Sequence, residues 1–331
     1  MAPANATKFE VMTLLGMGFD LRHPDGLGAS GAATYAAALD MIRWAEEHDF
    51  GRITFGEHHQ SPDGYLPCPL VFAAAVGGRT SRIRVRVSVL LAPLYDPVRL
   101  AEEVAVADLC LQGRLDLGLG VGYVEDDFHA FGADYHRRGA HLEWLVPFLR
   151  RAWTGEPFEH NGTTVRVTPR PCQDPMPIHL GGGTRPAIER AARIADGFFA
   201  PAMQRPWEHY RRTCIELGKP DPGEWPKRGP IFLWVTTGDK DEAWARLEPH
   251  VRHQIDSYAG WTTAGLGRAD GPFVPPDGYV VADPDEAVRL IRDLGPDGEL
   301  HLNPLLAGID PAYAWDMLRT FERHVLPSLE A

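Results

Sequence analysis

Short apolar runs alternate along the chain with longer stretches whose apolar residues recur at helical spacing. The runs predict strands at Phe9–Leu15, Arg52–Phe55, Ile83–Leu91, Arg114–Leu119, Pro177–Leu180, Gly197–Ala200, Ile231–Thr236 and Leu300–Asn303. The stretches predict helices at Tyr35–Glu47, Pro69–Val76, Pro97–Leu111, Leu142–Trp153, Arg185–Ala195, Pro206–Leu217, Asp241–Ser257 and Pro311–Leu329, with Pro147 as a kink or a start. That is close to eight βα units. Alternating order with apolar strands implies a parallel sheet covered by helices. At 331 residues it favours a closed (β/α)₈ TIM barrel, read as one domain over 1–331, with an open doubly wound sheet as the alternative.

Two stretches break the rhythm. His160–Val167 reads as a small inserted hairpin, within an insertion near 156–170. Ala259–Gly278, within a second insertion near 259–280, is long and rich in Gly and Pro, and reads either as a lid over the barrel mouth or as a disordered connection.

Charge and cysteine usage narrow the function classes. A formal net charge of −12 argues against nucleic acid and against an anionic membrane surface as partners. No apolar run is long enough to span a bilayer, and the first ten residues lack the pattern of a secretion signal. Cys68, Cys110, Cys172 and Cys214 are scattered with no CxxC pair, which fits reduced thiols in the cytoplasm and no metal site. Cys110 reads as a core position.

In a barrel the chemistry gathers at the C-terminal ends of the strands. That filter selects Leu15–Gly18, Gly56–His59, Ser88–Pro93, Gly118–Tyr123 and Leu180–Arg185. Adjacent histidines on a strand point to opposite faces, so Glu57-His58-His59 is a poor metal site. It suits acid–base work, with one imidazole in the mouth tuned by a carboxylate neighbour, or else simple packing. Gly118–Tyr123 does not have the GxGxxG dinucleotide spacing; it is either a place where a flat ring lies close to backbone or a tight turn. Gly181-Gly182-Gly183-Thr184-Arg185 places backbone N–H groups ahead of a helix and fits a monophosphate, the alternative being an ordinary Gly-rich turn. With no GxSxG elbow and no cysteine beside a histidine, hydrolysis by a side-chain nucleophile has little support, and a bound organic cofactor would explain the arrangement.

Gly56–His59, Pro69–Ala75, Asp96–Glu103, Gly113–Gly120, Phe131-Gly132, Trp153-Thr154-Gly155, Pro177–Gly197 and His324–Leu329 together resemble the bacterial-luciferase-like flavin-dependent oxidoreductases. The resemblance implies a barrel with insertions, usually dimeric. It implies either reduced FMN delivered by a separate flavin reductase, with O₂ oxygenating a small organic substrate, or a deazaflavin transferring hydride without O₂. A flavin-binding protein without activity is a third possibility. By position, His58 matches the active-site histidine, and Ser88-Val89 the place where the family often has a non-proline cis peptide behind the ring. Gly120, Gly122 and Tyr123 would line the ring and ribityl chain, and Gly182, Gly183, Thr184 and Arg185 the phosphate. An arginine that grips phosphate in bacterial luciferase is here Val121, leaving Arg185, Arg137 or Arg138 to substitute. Glu-His-His resembles the FMN users more than the deazaflavin users. Met12, Glu57 and His59 are further candidates for the substrate pocket, and Met17 and Phe19 add to its apolar side.

Overall fold

The computed structural model describes residues 13–200, 204–261 and 274–330. In chain order its elements are β1 (Leu14–Phe19), α1 (Gly31–Glu47), β2 (Arg52–Phe55), α2 (Pro69–Gly77), β3 (Arg84–Leu91), α3 (Pro97–Cys110), β4 (Leu115–Gly120), α4 (Glu125–Phe131) and α5 (Arg138–Ala152). The hairpin β5 (Phe158–His160) and β6 (Thr163–Val165) follows, then β7 (Ile178–Gly181), α6 (Arg185–Ile194), β8 (Gly197–Phe199) and α7 (Gln204–Glu216). The rest is β9 (Phe232–Val235), α8 (Lys240–Trp261), β10 (Tyr279–Ala282), α9 (Pro284–Leu294), β11 (Glu299–Leu302), α10 (Pro311–His324) and α11 (Leu326–Glu330).

Seven strands form one curled parallel sheet in the order β11-β1-β2-β3-β4-β7-β8. The segment leading into β9 joins the β11 edge, with Gly229 N donating to Glu299 O and Glu299 N to Lys227 O, each at 2.8 Å. β9 itself pairs in parallel with β10, and among the described residues no ladder joins β8 to β9. The architecture is the expected (β/α)₈ barrel with insertions.

Period-two alternation decides what each strand shows to the bore. Ile53, Phe55, Val85, Val87, Leu115, Leu117, Leu300 and Leu302 are buried under the helices. Their neighbours Arg52, Arg84, Arg86, Asp116, Glu299 and His301 take the other face. There Arg52 lies 2.9 Å from Glu299 and 3.8 Å from Asp116, and Arg84 also pairs with Asp116. The lower bore is therefore filled by an ion network, where barrels of this kind usually stack branched apolar side chains.

Three helices share one start signal. Asp96, Asp283 and Asp310 each cap a helix whose next residue is proline, and Asp283 completes a capping box with Glu286. The aspartate satisfies orphan N–H groups, and proline at the first helical position has no N–H to lose.

Several expectations need correction. β1 begins at Leu14 and runs through Gly16 and Gly18, so the glycines lie inside the strand, where Gly16 leaves room for His301 and Gly18 for Asn303. α4, β10 and α9 were missed. Cys110 is exposed. The inserted hairpin spans Phe158–Val165, turning at Asn161-Gly162, both with positive φ as a two-residue hairpin turn requires. The 259–278 segment is helical to Trp261, and residues 262–273 lie outside the described ones, as does Met12. Among the described residues no helix is long and apolar enough to cross a membrane.

Candidate active site

β2 delivers three polar side chains to the barrel mouth, and Gly56 is the reason they leave the strand there. A Cβ on Gly56 would lie 3.1 Å from the Tyr65 hydroxyl and 3.3 Å from Ser88 O. Beyond it, alternation separates the trio as anticipated. Glu57 and His59 turn one way and bond to each other at 2.9 Å. His58 turns the other way, into a cavity of about 370 Å³ that Ser88, Val89, Tyr123 and Tyr258 also border.

Glu57 does not tune His58. One carboxylate oxygen accepts Leu91 N, and the other accepts the Tyr95 hydroxyl at 2.6 Å together with His59. Buried and fully engaged, it fastens the end of β3 to the loop after β2. His59 rests on Phe131, ring centres 4.6 Å apart, and both residues act on the frame of the mouth.

His58 is 8 % exposed and stacks flat on Trp261, with ring centres 4.0 Å apart and planes 16° from parallel. Tyr65 meets it edge-on at 4.7 Å. Its Nε2 lies 3.2 Å from the Tyr123 hydroxyl. Burial, then the nearby charges of Arg22 and His59, push its pKa down to about 3. The imidazole is therefore neutral at ordinary pH. Its Nδ1 is buried and has no hydrogen-bond partner among the described residues.

Facing it, the Ser88–Val89 peptide bond is cis, as the resemblance implied, and the β3–β4 register shifts between Val87 and Leu90. The glycines of β4 and β7 make this possible. A Cβ on Gly120 would fall inside the Val89 side chain, and one on Gly181 would lie 2.5 Å from Val89 Cγ1. Gly122, at φ 75°, packs against Phe128. The glycine wall thus takes up Val89 first; its contribution to the cavity is indirect.

The glycine loop after β7 lies at the rim. Gly182 has φ 138°, and a Cβ there would meet Ala187 at 2.7 Å. Gly183, Thr184 and Arg185 are exposed. Thr184 stands at the N-cap of α6 without a side-chain capping bond, and Arg185, 79 % exposed, pairs with Glu189 at 2.7 Å. The free N–H groups of the helix start remain a fitting anion site, but none of these residues borders the His58 cavity. Of the two other arginines, Arg138 lies over Tyr135 at 3.8 Å. Arg137 borders a separate cavity with His141 and Trp144.

A second polar cluster beside His58 escaped the sequence reading. Arg22, fully buried, sits 3.2 Å from Asp63 and within about 5 Å of the rings of Tyr65, Tyr258 and Trp261. Asp63 also accepts from His253 at 2.8 Å and from Ser61. Burial would raise its carboxyl, yet these bonds and Arg22 outweigh that and hold it well below the usual carboxylate range. Arg22 and Asp63 lie in irregular loops and His253 far along in α8, so no local spacing joins them.

Comparison with known proteins agrees with this geometry. The sequence profile of the luciferase-like monooxygenase family matches residues 16–292. The chain is 28% identical over 150 residues to the oxygenase component of a flavin-dependent trigonelline monooxygenase from Acinetobacter baylyi, covering 43% of this chain and 41% of that protein. It is 28% identical over 350 residues to an F420-dependent glucose-6-phosphate dehydrogenase from Segniliparus rotundus, covering 93% and 99%. The chain spans about half the length of the first two curated relatives it matches. Among solved structures, the monooxygenase RslO1 from Streptomyces bottropensis superposes with a TM-score of 0.76 at 23% identity, covering 95% and 99% of the two chains.

Proposed function

The chain belongs to the luciferase-like monooxygenase family, and from that premise we propose that it is an FMN-dependent monooxygenase of a small organic substrate. Reduced FMN would come from a separate reductase. The observation that carries this reading is the cavity bordered at once by the Ser88–Val89 backbone, Gly56 and His58. The residues present fit a flat redox ring. Backbone and Gly56 border the space, aromatic side chains close it, and the buried Nδ1 of His58 has no partner among the described residues.

When bound, the flavin supplies the electrons with which O₂ oxygenates the substrate. The protein's own part follows from its side chains. His58 is neutral, so it offers a ring nitrogen for hydrogen bonding without bringing charge into the cavity. Tyr123 is hydrogen-bonded to its Nε2. Trp261, Tyr258 and Tyr65 keep water from the reacting atoms. Gly182 to Arg185 would hold the phosphate at the rim.

Oxygen uptake tests this reading. Reduced FMN with a turned-over substrate should drive substrate-linked O₂ consumption, and His58→Asn should lower it by roughly 10²- to 10⁴-fold. Uptake unchanged by that substitution would remove His58 from the mechanism. A second reading, hydride transfer by a deazaflavin without O₂, is supported by the near full-length match to the F420-dependent enzyme. Anaerobic bleaching of the deazaflavin by a substrate distinguishes it.

A further inference from the structure

Below the mouth, a second cavity of about 290 Å³ runs into the bore, sharing Gly56, Tyr65, Ser88 and Tyr258 with the His58 cavity. It is also bordered by two arginines, Arg86 and Arg228. Arg86 is half-buried and Arg228 is exposed, and neither is held by a close carboxylate. Among the described residues neither makes a side-chain hydrogen bond or lies within 4.0 Å of a carboxylate oxygen, and Arg86 Nε is fully buried without a partner. Arg86 is held by one face over Phe199, at 4.3 Å, and Arg228 lies over Trp225 at 4.6 Å.

Two acids, Glu299 and Asp20, border the same cavity, and each also has other partners. Glu299 is bonded to Arg52 at 2.9 Å. Asp20 accepts the backbone N–H groups of Arg22 and Ala307. His301, pushed down to about 4 chiefly by burial, adds no charge. Burial, then the Arg52 charge, lower Arg86 to about 10, with Glu299 and Asp116 acting in the opposite sense.

We propose that this bore is the substrate pocket and that Arg86 and Arg228 grip the carboxylate of a small organic acid. Two guanidinium groups in one confined cavity offer paired donors to a planar carboxylate. Arg86 lies two residues before Ser88 on β3, about 7 Å deeper at strand spacing. An acid held there by its carboxylate presents its far end to the mouth, across roughly the length of one ring. Phe199, against which Arg86 lies, borders the space and suits an aromatic or similarly flat body. The role of substrate pocket rests on the flavin reading above; the preference for an anion does not.

Calorimetric titration of the flavin-free protein with benzoate and with its neutral isostere benzamide tests this, beside a separate titration with reduced FMN. Benzoate should bind at least tenfold more tightly than benzamide. Arg86→Gln and Arg228→Gln should each weaken benzoate roughly ten- to a hundredfold while leaving reduced-FMN affinity unchanged. Arg86→Gln should also melt no lower than the parent, because it removes a half-buried charge that no close carboxylate holds; if it does not fold, Arg86→Lys, which keeps the charge and loses the fork, should give a smaller loss of benzoate affinity. Equal binding of benzoate and benzamide overturns the proposal. So does competition between benzoate and reduced FMN with flavin affinity lost in the variants, since the arginines would then serve the flavin ring. Benzoate binding without binding of either flavin supports the anion pocket and sinks the flavin reading alone.

Discussion

His58 shows most clearly what a residue's surroundings do to its chemistry. The folded state resists protonating it, so the unfolded chain takes up that proton first as pH drops below about 6.5. The stability it contributes is complete above that pH and is lost as pH falls towards about 3. The full difference is on the order of 5 kcal/mol. Urea midpoints measured from pH 7.5 down to 4.5 should fall steeply in the parent and less steeply in His58→Asn; equal slopes would mean the imidazole is not held neutral. The same neutrality means that substrate turnover should show no inflection near pH 6.5 from His58. Of this, its position at a strand end was legible in sequence and its electrostatics were not. Glu57, the adjacent carboxylate, is spent on Leu91, Tyr95 and His59, while Arg22 reaches His58 from a loop remote in sequence.

At the scale of elements, the strands were read well where apolar runs were bounded by turns, as at Arg52–Phe55 and Pro177–Leu180. They were read poorly where glycine lies inside a strand, as in β1. The alternation Arg84-Val85-Arg86-Val87-Ser88 was present in the sequence, and its inward cations were the signal for the bore that went unused. Asp283-Pro284-Asp285-Glu286 was likewise a complete helix start, in a stretch to which the sequence pattern assigned no element. Val89 ties three strands together, because Gly120 and Gly181 both yield their side-chain space to it. Gly120→Ala should therefore cost about 1–3 kcal/mol by overpacking. It should also weaken flavin binding through the displaced Ser88–Val89 backbone. Denaturant titration and flavin fluorescence on the same sample check both; a neutral Gly120→Ala would mean the strands do not depend on this fit.

At the scale of the molecule, α2 and α3 present Val71, Val106 and Leu109 to solvent at 71%, 46% and 41% exposure. Large apolar side chains gathered on adjoining helices are a face for association, and the resemblance to usually dimeric enzymes makes a second copy the proposed occupant. Light scattering should give twice the mass of one chain, and Val106→Arg should halve it; a parent that is already monomeric would contradict this. The barrel order was legible because each βα unit repeats one pattern. The inserted hairpin was legible as well, two residues out of place, whereas α4, β10 and α9 lack so regular a pattern. The central claim is that the cavity between the Ser88–Val89 backbone and His58 holds a flavin-type ring, and an anaerobic fluorescence titration tests it most directly. Reduced FMN or a reduced deazaflavin should bind once per chain and quench tryptophan emission, in proportion to Trp261 beside His58, with the quench diminished in Trp261→Leu. Failure of both to bind would contradict the account.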